Sequence, residues 1–347
     1  MDQNITRELI HKLPKTDLHC HLDGSLRIKS ILEMAQEYHV KLPTFDEEAF
    51  RELVVLPPKL SSLVEYLKAF DYTLLVLQEK DCLARAAYEL AIDAASENVR
   101  HIEIRFSPIL HQARKLRYPE IVDAVLEGLE RAHRETDIST GVIICGMRHL
   151  PSIESKILAE LCIAYKNRGV VAFDLAGAEI DNPAKRHQEA CALVLRNNIN
   201  CTIHAGEAYG PESISQAIHY CGAHRIGHGT RLSEDGNLLN YMNDHRIPLE
   251  ICLTSNVQTN AIDKLEHHPF RFYFDYNLRT TLNTDNRLMS NTTMTDEYLL
   301  AAKTFGLTLE EIKDIIICGF KSAFLPYRDK VRLLKQALEE LDRPFIP

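Results

Sequence analysis

Eight short β-rich runs recur along this chain, and helical stretches separate most of them. The runs are Thr16–His21, His101–Ser107, Gly141–Arg148, Val170–Ala176, Asn200–His204, Arg225–His228, Pro248–Leu253 and Arg279–Thr284. Helical periodicity connects several of them over Glu154–Arg168, Ala184–Asn197 and Pro211–Cys221. Alternation of strand and helix implies a mostly parallel sheet, and eight such steps predict a (β/α)8 TIM barrel. Two segments exceed the minimum. Residues 28–98 are far longer than one crossover helix, and 296–341 read as helices that close the barrel. Extra helices are therefore expected after strand 1 and at the C-terminus. No linker or low-complexity stretch interrupts the 347 residues, so a single domain over 1–347 is expected.

Composition excludes several classes of function. The net charge is -9 and no basic run occurs, which disfavours nucleic acid and anionic membranes as partners. No apolar run approaches the ~18 residues of a membrane span. The nine cysteines are scattered singly without a C-x-x-C pair, as in reduced, cytoplasmic proteins. They are expected to fill core positions. The polar start MDQNITRELIHKLPK lacks the apolar stretch of a secretory signal. A monomer and a homo-oligomer are both compatible with this composition.

The polar residues that end the runs are more specific. His19 and His21 lie two apart on one run and so share a strand face. His204, with Glu207 three residues on, ends another run; His228 lies between Gly227 and Gly229; Asp285 follows the last run. The C-terminal strand ends form the active-site face of a barrel. There the first and eighth strands are neighbours, so His19 and Asp285 would converge. Imidazoles plus one carboxylate suit a catalytic Zn²⁺ or a similar divalent ion. Asp285 alone, in Asn-Thr-Asp-Asn, also reads as turn chemistry. His11, His39, His101, His111, His133, His187, His219, His267 and His268 are expected to be solvated. Leu63, Tyr66, Leu67, Phe70 and Leu74 follow helical spacing, as a packing stripe or as an apolar lid.

The ordered segments KTDLHCHLDGSL (15–26), YLKAFDYTL (66–74), EIRFSPIL (103–110), FDLAGAE (173–179), IHAGEAYGP (203–211), RIGHGTRL (225–232), CLTSN (252–256) and LNTDNR (282–287) span nearly the whole chain. Together they resemble the adenosine deaminase family of metal-dependent hydrolases. The resemblance implies hydrolysis of adenosine, and of 2′-deoxyadenosine, to inosine and ammonia by a zinc-activated hydroxide. The partner would be a small purine nucleoside, and the place in metabolism purine salvage. One Zn²⁺ per chain would be held by His19, His21, His204 and Asp285. His228 would orient the attacking water or take its proton, and Glu207 would protonate purine N1. The Gly177 N–H would meet N3, Asp23 a ribose hydroxyl, and Leu63, Tyr66 and Leu67 the lid. Many members carry a second Asp where this chain has Asn286, whose amide would donate to N7. The resemblance also admits adenine or 6-amino-deoxyfutalosine as substrate. Rivals are another metal hydrolase on the same barrel and an inactive purine-binding relative. The first commonly uses a bridging Lys, for which Asp174–Gly177 offers none.

Overall fold

The structure, a computed structural model, describes residues 5–342. Eight strands form one parallel sheet in sequential order: β1 (Lys15–His21), β2 (Val99–Phe106), β3 (Ser139–Met147), β4 (Val170–Ala176), β5 (Asn200–Ala205), β6 (Arg225–His228), β7 (Leu249–Ile251) and β8 (Thr280–Leu282). β8 returns to β1. Asp285 N–H donates to His19 O at 2.8 Å, and His21 N–H donates to Asp285 O at 2.7 Å. Leu18 N–H is met by the side chain of Asn283 at 2.9 Å, so a polar residue completes the ring where backbone pairing fails. The fold is a (β/α)8 TIM barrel, as expected.

The expected strands fall within a few residues of those observed. β7 and β8 are shorter than expected, and Asp285 sits in the turn beyond β8 with φ 58°. The long segment after β1 contains the helices Ile28–Glu37, Glu47–Val54, Leu63–Leu67, Phe70–Val76 and Lys80–Ser96. The C-terminal helices are Met294–Phe305, Leu309–Ser322 and Tyr327–Glu340. All nine cysteines are free, and all but Cys318 are buried. No described helix is long and apolar enough to cross a membrane.

Barrel interiors are mostly filled by branched apolar side chains. Here charged groups share that space. Arg105 of β2 donates to Asp174 of β4 at 2.9 Å and to Glu250 of β7 at 2.8 Å. Arg225 of β6 donates to Glu250 at 2.5 Å and also to Glu103 of β2. All five side chains are buried. Burial alone would raise the Glu103 carboxyl, but the Arg225 charge together with the hydrogen bonds from His101 and Arg225 outweighs it and holds the carboxyl down at about 2. Its contribution to stability is therefore complete above the ordinary carboxyl range and is lost as pH falls through about 2. Glu103→Ala takes one of its two carboxylates from the buried Arg225 guanidinium and the acceptor from Phe324 N–H, and is expected to cost about 3–5 kcal/mol, read as a lower urea midpoint. An unchanged midpoint would mean that the network contributes nothing to the fold.

The histidines expected to be solvated divide. His11, His39, His133, His219 and His267 are exposed, whereas His101, His111, His187 and His268 are buried. The buried rings have protein polar partners in place of water. His111 Nδ1–H donates to Leu77 O at 2.8 Å, and His101 meets Ser139 at 2.9 Å and Glu103 at 3.3 Å.

Candidate active site

The strand ends bring the predicted metal donors together. Strand alternation turns His19 and His21 to one side, and Asp285 reaches over from the β8 turn. Asp285 Oδ1 lies 3.4 Å from both His19 Nε2 and His21 Nε2. His21 Nε2 lies 3.1 Å from His204 Nε2. Ligand atoms of His19, His204, His228 and Asp285 also fall within 4.8 Å of one another. A tetrahedron of zinc–nitrogen bonds near 2.05 Å has edges of about 3.3 Å. The three short separations match that edge.

The hydrogen bonds on the far side of each ring say which atom carries a lone pair. His19 Nδ1 lies 2.8 Å from Glu250 Oε2, and His204 Nδ1 lies 3.1 Å from Asp174 Oδ1. Carboxylates accept, so each Nδ1 carries the hydrogen and each Nε2 presents its lone pair to the centre. His19 Nε2 is buried with no hydrogen-bond partner, facing a carboxylate oxygen. Lone pairs facing one another at these distances repel unless a cation lies between them. The donor set therefore fits a divalent metal. Asp174 and Glu250 were not singled out as site residues from the sequence. Their signal is a charged residue inside the apolar runs Phe173-Asp174-Leu175 and Leu249-Glu250-Ile251.

Gly227 makes room for this arrangement. A Cβ there would stand 2.9 Å from His19 Cε1 and 3.2 Å from His204 Cα. Gly227→Ala is expected to displace the His19 ring and lower bound metal and turnover together; unchanged metal content and activity would show that the ring has slack.

His228 differs from the ligand histidines. Phe270 N–H donates to His268 Nδ1 at 3.0 Å, which leaves the hydrogen of His268 on Nε2. Burial depresses His268 to about 3, so it is neutral. Its Nε2–H donates to Asn256 Oδ1 at 3.1 Å, and the Asn256 amide donates to His228 Nδ1 at 2.9 Å. His228 therefore carries its hydrogen on Nε2, pointed at the site, and cannot ligate through that atom. Glu207 Oε2 lies 3.6 Å from it. Burial, then the nearby Asp285 and Glu179 charges, raise the Glu207 carboxyl well above its ordinary range. This agrees with the expectation of a protonated acid.

Two cavities meet over these groups. The inner one is about 40 Å³, little more than one water's share of liquid volume. Leu63, Tyr66, Leu67 and Phe70 roof it, above Gly177, Glu207, Asp285 and Asn286. Tyr66 pins that roof through a 3.0 Å hydrogen bond between its hydroxyl and that of Ser290. The outer cavity, about 190 Å³, is lined by Asp23 and shares His21, Leu67, Phe70, Ala176 and Gly177 with the inner one. Asp23 Oδ1 and Asn286 Oδ1 are buried without partners. Burial pushes the Asp23 carboxyl up to about 7.

A family model described as adenosine deaminase matches residues 14–340. The chain belongs to the adenosine deaminase family. It is 41% identical over 344 residues to a probable adenosine deaminase of Dictyostelium discoideum, covering 99% of this chain but 45% of that protein. It is 40% identical to an adenosine deaminase of Clostridium acetobutylicum, covering 96% of this chain and 99% of that one. Among solved structures, the Arabidopsis N6-mAMP deaminase superposes with a TM-score of 0.85 at 28% identity, covering 96% and 98% of the two chains. Family membership brings the KTDLHCHLDGSL and IHAGEAYGP segments, and hence the caged histidines, under one heading.

Proposed function

We propose that the protein hydrolyses adenosine, and 2′-deoxyadenosine, to the inosine product and ammonia. The observation that carries this reading is the cage of His19, His21, His204 and Asp285 beside a buried Glu207 whose carboxyl is pushed upward by burial, in a chain of this family. Curated relatives at 36–41% identity bear the name adenosine deaminase.

Zinc is the proposed metal, and bound there it would bring the pKa of water to about 7. Attack on C6 breaks the ring's aromaticity and puts charge on N1. Glu207, held as an acid by burial, donates its proton there. The His228 Nε2–H donates to the attacking oxygen and holds it in line. In this tautomer His228 orients the nucleophile rather than taking its proton. Asp285 fixes the oxygen from the opposite side. The Gly177 N–H meets N3 and the Asn286 amide meets N7. Water's oxygen stays on C6 and the Glu207 proton ends on N1. The remaining hydroxyl proton passes by way of the Asp285 carboxylate to the amine, which leaves as ammonia, and the proton that water gave up on becoming hydroxide returns through solvent to Glu207.

The inner cavity is too small for a purine ring, so the helices Leu63–Leu67 and Phe70–Val76 act as a lid that lifts for substrate. Asp23, in the outer cavity, takes a ribose hydroxyl. Asp71 lines the same cavity, and no lysine or arginine does. Two carboxyl groups without a cation disfavour a 5′-phosphate, so a nucleoside is preferred to a nucleotide.

Ammonia release is measured with adenosine, 2′-deoxyadenosine, adenine, AMP and 6-amino-deoxyfutalosine, and methylamine release with N6-mAMP. The two nucleosides should show the highest kcat/KM; preference for adenine or a nucleotide would overturn the assignment. Asp23→Ala should raise KM for adenosine while metal content stays constant. An unchanged KM would remove Asp23 from the ribose site.

A further inference from the structure

We propose that Glu179 is the positioning residue for the acid Glu207, acting through the backbone of the loop that carries it. The proposal rests on the deaminase reading above. Glu179 lies three residues beyond β4 and is 6% exposed. Its carboxylate gathers four consecutive amides of the β5 loop. Gly206 N–H donates to Oε1 at 2.7 Å. The N–H groups of Glu207, Ala208 and Tyr209 donate to Oε2 at 3.0, 2.6 and 3.0 Å.

One of these donors meets Oε1 and three converge on Oε2, so the carboxylate is held against the loop chiefly through Oε2. The loop in turn has no regular structure to satisfy these amides. Gly206 turns in the left-handed region at φ 70°, so the chain folds back over the strand end. Thr230 Oγ1–H holds the Gly206 carbonyl at 2.5 Å. Without an acceptor at Glu179, two buried donors (Gly206 and Glu207) and two part-buried ones (Ala208 and Tyr209) lose their partner, and the Glu207 backbone loses its anchor. Bonds to a charged acceptor are also the stronger kind. The negative charge lies close enough to disfavour ionisation of Glu207, the direction the acid needs.

Glu179→Gln keeps the shape but turns one amide donor toward the loop's donors. The expected result is a fall in kcat on the order of 10–100-fold, with metal content unchanged. Binding of 1-deazaadenosine should be unaffected, because that analogue has no N1 to receive the Glu207 proton. In a Glu207→Gln background the same substitution should cost less than about threefold, since the acid it positions is already gone. An equal penalty in both backgrounds, or 1-deazaadenosine binding weakened in parallel with kcat, would overturn the proposal and leave Glu179 a purely structural residue. Glu179→Asp, which keeps the charge but is a methylene short of the loop, enters the same cycle should the Gln variant not fold. Failure of the deaminase reading is separate: the wild-type protein would then release no ammonia from adenosine.

Discussion

Glu207→Gln is expected to lower kcat by on the order of 10²–10⁴ while the protein keeps its metal and its fold. The side chain is buried beside Asp285 and His228, and it stands as an acid because its charged form would be desolvated among other carboxylates. Gln has nearly the same shape and can still direct an N–H at purine N1. It cannot give up a proton there. Ground-state contact survives and the charge that develops on N1 goes unneutralised, so the loss falls on kcat more than on KM. Stopped ammonia release at saturating adenosine, with metal analysis on the same sample, reads this directly. Wild-type turnover in the variant would remove Glu207 from the mechanism, and loss of metal would make it part of the cage instead.

His21→Ala is expected to remove metal and activity together. His21 Nε2 is within 3.4 Å of Asp285 Oδ1 and 3.1 Å of His204 Nε2, the separations of an inner ligand. Its ring lies at the cavity wall, so truncation leaves the barrel interior packed and the circular-dichroism melt close to wild type. A graded comparison comes from Asp174→Asn. Asp174 touches the cage only through His204 Nδ1, and loss of such an outer partner costs on the order of 10–100 in metal affinity or activity. Full metal occupancy in His21→Ala, or equal effects of the two substitutions, would contradict the ligand assignment.

The barrel was legible because its strands are short apolar runs set between helical stretches, and because His19, His204 and His228 end such runs. Asp285 was harder to read. It lies in a turn beyond β8, and only its backbone bonds to β1 bring it to the rim. Asp174 and Glu250 sat inside apolar strands, where the alternation that would have turned them inward was visible but their partners were not. Those partners, Arg105 and Arg225, come from strands distant in sequence, and a buried charge is intelligible only with its pair in view. The tautomer of His228 depends on His268 and Asn256 and, at the far end, on one backbone N–H of Phe270. No spacing rule encodes such a chain. The sequence context of His268 therefore predicts a solvated ring, whereas the ring is buried. The stripe from Leu63 to Leu74 reads as packing or lid because it is both: Tyr66 and Phe70 pack in a small cluster with Met289, while the stripe also lines the two cavities.

The most direct test is a metal titration of stripped protein. Enzyme freed of metal by a chelator and dialysed is given increments of Zn²⁺, and ammonia release from adenosine is followed at each step. The account predicts no turnover without metal and a linear rise that stops at one equivalent per chain. Turnover in the stripped protein, or a rise that continues to two equivalents, would contradict a single cation held by three imidazoles and one carboxylate.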